Sequence, residues 1–204
     1  MQQASHWENV YLTQTPGSVS WYRPHLELSL NLIVQVAGGP SASIIDIGGG
    51  TSTLVDDLLE RGYQRLTVLD ISPAALNTAK SRLGPDADKV QWLADDITQT
   101  SLPAHEYDVW HDRAVFHFLT APDDRDRYVS QAIHAVKAGG FVIVSTFGPD
   151  GPAKCSGLDV TRYDSRSLHQ QFGRRFRLVK STTELHETPF RTTQQFVYCC
   201  CKVE

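Results

Sequence analysis

Several groups of side chains in this sequence have the types and spacing that chemistry needs. Asp46 stands two residues ahead of Gly48-Gly49-Gly50, and Asp70 closes the next apolar run. His111, Asp112 and Arg113 follow a later apolar run, while Cys155 and His186 lie in the C-terminal part. A carboxylate at a strand's C-terminal end can accept two hydrogen bonds from a diol, which suits Asp70 to the ribose of a nucleotide-like ligand. Asp46 would repel a pyrophosphate held by the glycines but not a cation. The trio at 111–113 offers a base, an acceptor and a fixed cation within one turn, and a histidine there or at 186 can take a proton near neutral pH.

Elements able to position these residues follow in order. The apolar run Ile44 to Ile47 suits a central parallel strand, and the glycines after it allow a sharp turn and close approach of a ligand. Leu54, Leu58 and Leu59 then recur at helical spacing, with Thr51, Ser52 or Thr53 as the cap and Gly62 past the last turn. Arg65 to Asp70 reads as a second strand, and Ser72-Pro73 and Gly84-Pro85 bound the next helix. Val90 to Ala94 reads as a third strand, and the segment from Tyr107 as a fourth that delivers residues 111–113 to its end. A helix is predicted over Asp123 to Val136, stopped by Lys137-Ala138-Gly139-Gly140, with a buried strand from Phe141 to Phe147. The glycine and proline stretch 148–163 is too long to be mere connection and is read as a substrate loop. A helix from Ser165 to Phe172 and strands over Arg175 to Leu185 and Thr193 to Lys202 complete the chain.

A length of 204 residues suits one domain, and a net charge of -4 argues against broad affinity for nucleic acid or membrane surfaces. The expected partner is a small molecule or a local patch on a protein, with the chain a monomer or homodimer. No apolar segment approaches the roughly 20 residues of a membrane span, and the first residues lack the features of a signal peptide, so the expected location is cytoplasmic. Cys199, Cys200 and Cys201 would alternate faces of a strand, and with Cys155 they form no C-x-x-C pair, so reduced core cysteines and no metal site are expected. The cluster Arg174, Arg175 and Arg177 reads as a solvated turn.

The pattern Asp46-x-Gly48-x-Gly50 resembles motif I of the class I S-adenosylmethionine-dependent methyltransferases, with Ser52 at a position that is often glycine. A dinucleotide fingerprint starting at Gly48 would need glycine where Thr53 stands, and no phosphate-loop motif occurs. Asp95-Asp96-Ile97 is similar to the family's third motif, and Lys137-x-Gly139-Gly140 before an apolar strand is another recurring feature. The resemblance therefore covers residues 44–147 in order. It implies one Rossmann-like α/β domain with a doubly wound seven-stranded sheet in the order 3-2-1-4-5-7-6, the last strand antiparallel, and helices on both faces. Residues 1–40 would form a cap or lid, 41–147 the cofactor-binding core, and 148–204 the substrate loop and C-terminal hairpin.

The implied cofactor is S-adenosylmethionine, leaving S-adenosylhomocysteine, with contacts from Asp46, Gly48, Gly49, Gly50, Ser52, Asp70, Ile71, Asp95, Asp96, Ile97 and His111. Asp96, or alternatively Asp95, would face the adenine amino group, with Ile97 against the ring and residues 111–113 beside the methyl group. Aromatic residues crowd the N-terminal segment, and aromatic faces attract a sulfonium and exclude water, so Trp7 and Trp21 are assigned to the cofactor. Tyr11, Tyr22, Cys155 and Arg113 are assigned to the acceptor. His111, Asp112, Arg113 and His186 are the catalytic candidates. The competing reading makes Asp112 a helix cap, Arg113 its ion-pair partner and the histidines backbone ligands, with His117 a packed core residue. The segment 6–22 resembles the lysine methyltransferases of citrate synthase and elongation factor 1A, and the tail is similar to tellurite-resistance methyltransferases. The Asn-Pro-Pro-Tyr signature of nitrogen modifiers is absent, which disfavours methylation of bases or glutamine amides. The acceptor is thus a small thiol, chalcogen or oxyanion compound or a protein lysine; the alternative is a sensor or assembly protein that binds the cofactor without turnover.

Overall fold

The computed structural model describes residues 2–204. Seven strands form one sheet: β1 Ser43–Ile47, β2 Arg65–Asp70, β3 Val90–Ala94, β4 Tyr107–Arg113, β5 Val136–Phe147, β6 Phe176–Glu187 and β7 Thr193–Val203. Their order is β3-β2-β1-β4-β5-β7-β6. β7 runs antiparallel to both neighbours, and the remaining pairings are parallel. The helices are α1 Gln2–Thr13, α2 Glu27–Val36, α3 Leu54–Glu60, α4 Pro73–Leu83, α5 Pro122–Ala135 and α6 Ser165–Phe172.

Both faces of the sheet are covered, which is why its strands read as continuous apolar runs and not as alternation. Ile44, Val68, Val109, Ile143 and Cys200 pack with Leu30 and Ile33 of α2 and Leu54 and Leu58 of α3 on one face. Ile45, Leu69, Trp110, Val142, Cys199 and Cys201 pack with Tyr128 of α5 and Leu168 and Phe172 of α6 on the other. The three adjacent cysteines thus do alternate faces, and all four cysteines are free and buried. The strand from residue 136 starts earlier than its expected beginning at Phe141. Val136 pairs with Tyr107 across a register shift, Lys137 Nζ grips both Asp108 oxygens at 2.8 Å, and a Cβ on Gly140 would lie 2.9 Å from the Asp108 carbonyl. Glycine there permits a bulge that carries the strand back to the helix, where the pattern suggested a break.

The apolar pattern from Leu26 to Val36 forms α2, while α1, which the pattern did not delimit, is held by polar contacts. Glu8 Oε2 accepts from the Ser72 hydroxyl at 2.6 Å and the Ala74 N–H at 3.1 Å, so a side chain from α1 supplements the cap of α4. Ser72 in turn accepts from the Ala75 N–H at 3.2 Å. At its other contact, His6 Nε2 lies 3.3 Å from the Ser156 hydroxyl, on a two-stranded ribbon of Lys154–Cys155 and Leu158–Asp159. The ribbon's turn places both Ser156 and Gly157 at positive φ, the geometry of a tight hairpin loop. The expected substrate loop is therefore a short hairpin meeting α1 above the C-terminal ends of the strands.

Loss of a charge-assisted cap costs about 1 to 2 kcal/mol. Glu8→Ala should accordingly raise amide exchange across residues 2–13 roughly tenfold, with a smaller effect on β1 and β4. Unchanged exchange in α1 would show that aromatic packing alone secures it.

Candidate active site

The turn after β1 is the tightest point of the chain. Gly48 and Gly50 adopt φ of +67° and +49°. A Cβ on Gly48 would lie 2.0 Å from Val115 Cγ2, and one on Gly50 would lie 2.9 Å from the Tyr11 hydroxyl and 3.2 Å from Asp70 Oδ2. Only glycine fits, for reasons of both conformation and space. Of the three cap candidates, Thr53 takes the N-cap position of α3 but donates its hydroxyl to the Pro24 carbonyl at 2.6 Å, and the Ser52 hydroxyl one residue earlier accepts from the Leu54 N–H at 3.1 Å.

Two acids end adjacent strands here. Asp70 is 5% exposed and accepts the Ser72 N–H at 2.8 Å. Burial pushes its carboxyl up to about 7; the Asp46 and Glu8 carboxylates push the same way, against the Ser72 and Gly50 N–H groups. Asp46 is 6% exposed and lies 2.7 Å from His111 Nδ1, its partner in the β1–β4 register. Because a carboxylate only accepts, Nδ1 carries the proton. The other ring nitrogen, Nε2, is buried with no hydrogen-bond partner among the described residues.

A cavity of about 830 Å³, counting its open mouth, lies over these strand ends. Asp70, Ile71, Asp95, Asp96 and Ile97 line one side, and Arg113, Phe147, Cys155 and Phe196 line another. Trp7, Tyr11 and Trp21 reach it from the N-terminal segment. Trp7 meets Phe118 edge-on at 5.1 Å and Trp21 at 5.6 Å, so the aromatic residues wall the space together. Asp96 is committed to its own turn, accepting from the Thr98 N–H and hydroxyl, both at 2.8 Å. Asp95 is exposed and uses one oxygen for the Asp96 N–H. A smaller adjoining cavity is lined by Asp46, Gly48, Gly49, Ser52, His111 and Tyr22, and Tyr11, Trp21 and Arg113 border both.

The catalytic candidates do not share one environment. Asp112 is wholly buried and lies outside the residues lining either cavity. Its oxygens accept from the Val115 N–H at 2.8 Å, the Phe116 N–H at 3.0 Å and the Tyr128 hydroxyl at 2.6 Å. It anchors the N–H groups that lead into the 3₁₀ turn Phe116–Phe118, whose N-cap position is Val115, and burial raises its carboxyl to about 6. Its expected ion-pair partner, Arg113, instead reaches toward Trp21 and Glu184. His186 is buried away from the cavity lining, with Nε2 2.8 Å from the Ser20 carbonyl, and burial lowers its pKa. His117 is the packed core histidine expected of it: Nδ1 accepts the Phe147 N–H at 3.1 Å, and burial pushes its pKa down to about 3. Cys155 does face the cavity, as a thiol that burial pushes up to about 12. Sequence reasoning missed Glu8, Val115, Phe147 and Phe196; only strand register brings the last two together, as directly paired residues of β5 and β7.

A family model described as a methyltransferase domain matches residues 44–140, the segment that supplies the glycine turn and the acids. That match, falling on the glycine turn and the acids, supports a class I S-adenosylmethionine-dependent methyltransferase. Among curated proteins it is 25% identical over 143 residues to the eEF1A lysine and N-terminal methyltransferase of Mus musculus, covering 67% of this chain and 20% of that one. It is 31% identical over 107 residues to malonyl-[acyl-carrier protein] O-methyltransferase 1 of Ilyobacter polytropus, covering 52% and 38%. The chain thus spans well under half the length of these relatives. In fold it is similar to 1,6-didemethyltoxoflavin-N1-methyltransferase of Burkholderia thailandensis, solved with S-adenosylhomocysteine, with a TM-score of 0.68, 17% identity and coverage of 99% and 84%.

The methyltransferase cofactor fits the residues present. The cradle at Gly48 and Gly50 is closed to any Cβ, Asp70 keeps an oxygen directed toward it, and the lining carries no phosphate-binding motif. Among the described residues no cluster of histidine, cysteine, aspartate and glutamate could hold a metal, and no helix is long and apolar enough to cross a membrane.

The raised pKa of Asp70 has a measurable sign. An ionised carboxylate accepts both hydrogen bonds of a diol, so affinity for S-adenosylhomocysteine should strengthen as pH rises from about 5.5 to about 8, up to about tenfold per unit below the titration point. Asp70→Asn should weaken binding by roughly 2 kcal/mol and flatten this profile. Since the folded form holds the proton more tightly than the unfolded chain, Asp70 favours folding at low pH and loses that contribution as pH rises toward 7. Ligand-free Asp70→Asn should therefore melt no lower than wild type at pH about 8. Calorimetry and thermal melts test both signs.

Proposed function

We propose that this chain transfers a methyl group to a small organic acceptor held in the aromatic chamber over the ends of β4 and β5. The supporting observation is the chamber's construction: Trp7, Trp21, Phe118, Phe147 and Phe196 surround the space, and α1 and the ribbon meet across it through His6 and Ser156. Such walls exclude water and align reactants, which is most of what an in-line displacement asks of a protein. Bound here, S-adenosylmethionine supplies an electrophilic methyl group that the acceptor's lone pair takes, while the electron pair of the broken carbon–sulfur bond stays on sulfur. Asp70, Ile71, Asp95, Asp96 and Ile97 hold the nucleoside end. Asp46, Gly48, Gly49, Ser52 and His111 hold the amino-acid end, where His111 Nε2 is an acceptor for an ammonium N–H. Trp7 and Trp21 pack against the sulfonium, and Tyr11, Tyr22, Cys155 and Arg113 bound the acceptor. Asp112 and His186 support this arrangement from behind.

A second reading, methylation of a protein amine, is favoured by the 143-residue match to the eEF1A enzyme, whose name specifies lysine and an N-terminus. The long aliphatic stem of a lysine would suit the same walls.

Incubation with methyl-labelled cofactor and fractionated cell extract separates the two, since the first reading expects label in small molecules and the second in protein. Calorimetry should show S-adenosylhomocysteine binding at least a hundredfold tighter than NAD, on the order of 3 kcal/mol; NAD as the tighter ligand would overturn both. Asp112→Asn should lower stability by about 1 to 3 kcal/mol, and activity only in step with the folded fraction.

A further inference from the structure

Arg113 has more hydrogen-bonding capacity than the fold uses. Its side chain is 5% exposed, and its guanidinium lies 4.2 Å from the centre of the Phe196 ring. Nη1 donates to the Trp21 carbonyl at 3.2 Å. Nε and Nη2 have no hydrogen-bond partner among the described residues. These two nitrogens share one edge of the guanidinium and carry parallel N–H bonds, the spacing that the two oxygens of a carboxylate match.

The charges around it point the same way. Glu184 is the nearest acid, 3.7 Å from Nη2 and beyond hydrogen-bond reach. Its Oε1 is taken by Arg23 and its Oε2 accepts from the Tyr198 hydroxyl at 3.2 Å. Two guanidiniums therefore share one carboxylate, and the cluster carries a surplus positive charge among the described residues. Asp46 engages His111, and the neighbouring Cys155 and Tyr11 are held in their neutral forms by burial. A buried cation with two orphan donors is costly unless a ligand meets it. Phe196, on which Arg113 stacks, lines the main cavity beside Phe147 and Cys155 and does not line the smaller one.

We propose that the Nε–Nη2 edge of Arg113 is a side-on receptor for a carboxylate on the methyl acceptor, so that the acceptor is a small carboxylic acid with an aromatic or similarly apolar body. The proposal rests on the methyltransferase reading and narrows its substrate class. Glu184 then serves as a counter-charge that keeps the guanidinium oriented when the chamber is empty, standing too far off to fill the edge itself.

The test titrates phenylacetate and benzoate, with phenylacetamide and benzamide as neutral isosteres, into protein saturated with S-adenosylhomocysteine, and reads tryptophan fluorescence. Wild type should bind the carboxylates at least tenfold tighter than the amides. Arg113→Gln should abolish that preference, and Arg113→Lys should lose most of it because it keeps the charge and not the fork. S-Adenosylhomocysteine affinity should stay within threefold of wild type in both variants. Glu184→Gln removes the counter-charge that partly neutralises the guanidinium while leaving Arg113 itself unaltered, and should tighten phenylacetate binding severalfold, so the proposal does not depend on Arg113 variants folding. Equal binding of acids and amides to wild type, or unchanged phenylacetate affinity in Glu184→Gln, would overturn it. So would an equal loss of S-adenosylhomocysteine in Arg113→Gln, which would assign the edge to the cofactor's own carboxylate. Failure of wild type to bind S-adenosylhomocysteine at all would instead refute the methyltransferase reading.

Discussion

Asp46 and Asp70 end adjacent strands deep inside the domain, and a carboxylate removed from water must be met by donors or give up its charge. The surroundings follow from that constraint. Asp46 finds the His111 ring across the β1–β4 register, which fixes the tautomer and leaves Nε2 without a partner among the described residues, in a ring that lines the smaller cavity. Asp70 finds the backbone N–H of Ser72, at the start of α4. That helix end is in turn gripped by Glu8, a third acid drawn toward the same point. Burial, reinforced by the neighbouring Asp46 and Glu8 carboxylates, makes Asp70 easier to protonate than an ordinary aspartate, a cost that a diol-bearing ligand can relieve by donating to it.

The N-terminal segment is tied down by polar bonds at several points and contributes Trp7, Tyr11 and Trp21 to the cavity wall. Beyond the Glu8 and His6 contacts, the Ser20 carbonyl meets His186, the Trp21 carbonyl meets Arg113, and the Pro24 carbonyl meets Thr53. Carbonyls of an irregular stretch are here satisfied by side chains from β4, β6 and the glycine turn. The aromatic faces of Trp7, Tyr11 and Trp21 can then be presented to the cavity without the segment having its own core.

Backbone strain collects at the same place. Ala114 adopts φ of +76° as β4 ends, although it is not glycine. Its N–H is held by the Ser145 carbonyl at 2.9 Å, and the next two N–H groups by Asp112 or its turn. Holding Ala114 in this conformation carries Val115 into contact with the glycine cradle and leaves Arg113 pointing across the sheet ends.

Much of the domain was legible in the residues themselves, because parallel strands buried on both faces must be apolar throughout, and turns needing positive φ must be glycine. The strand from Ile44, the turn at Gly48 and Gly50, the acid at Asp70 and the placement of Cys199 to Cys201 on alternate faces all follow from such local rules. The core role of His117 was likewise readable from its neighbours, whereas which of Thr51, Ser52 and Thr53 opens α3 was not. What tertiary structure alone decided was the division of labour among polar residues that look alike in the chain. Asp112 and Arg113 are adjacent, yet alternation sends one into the buried face against Tyr128 and the other toward the cavity, and nothing local says which acid or ring will be waiting there. His186 was drawn behind the site by a carbonyl 166 residues away, and Glu184 was given to Arg23 by the register of the final hairpin. These partners are distant in sequence, and the free energy of each bond depends on burial that only the packed domain creates.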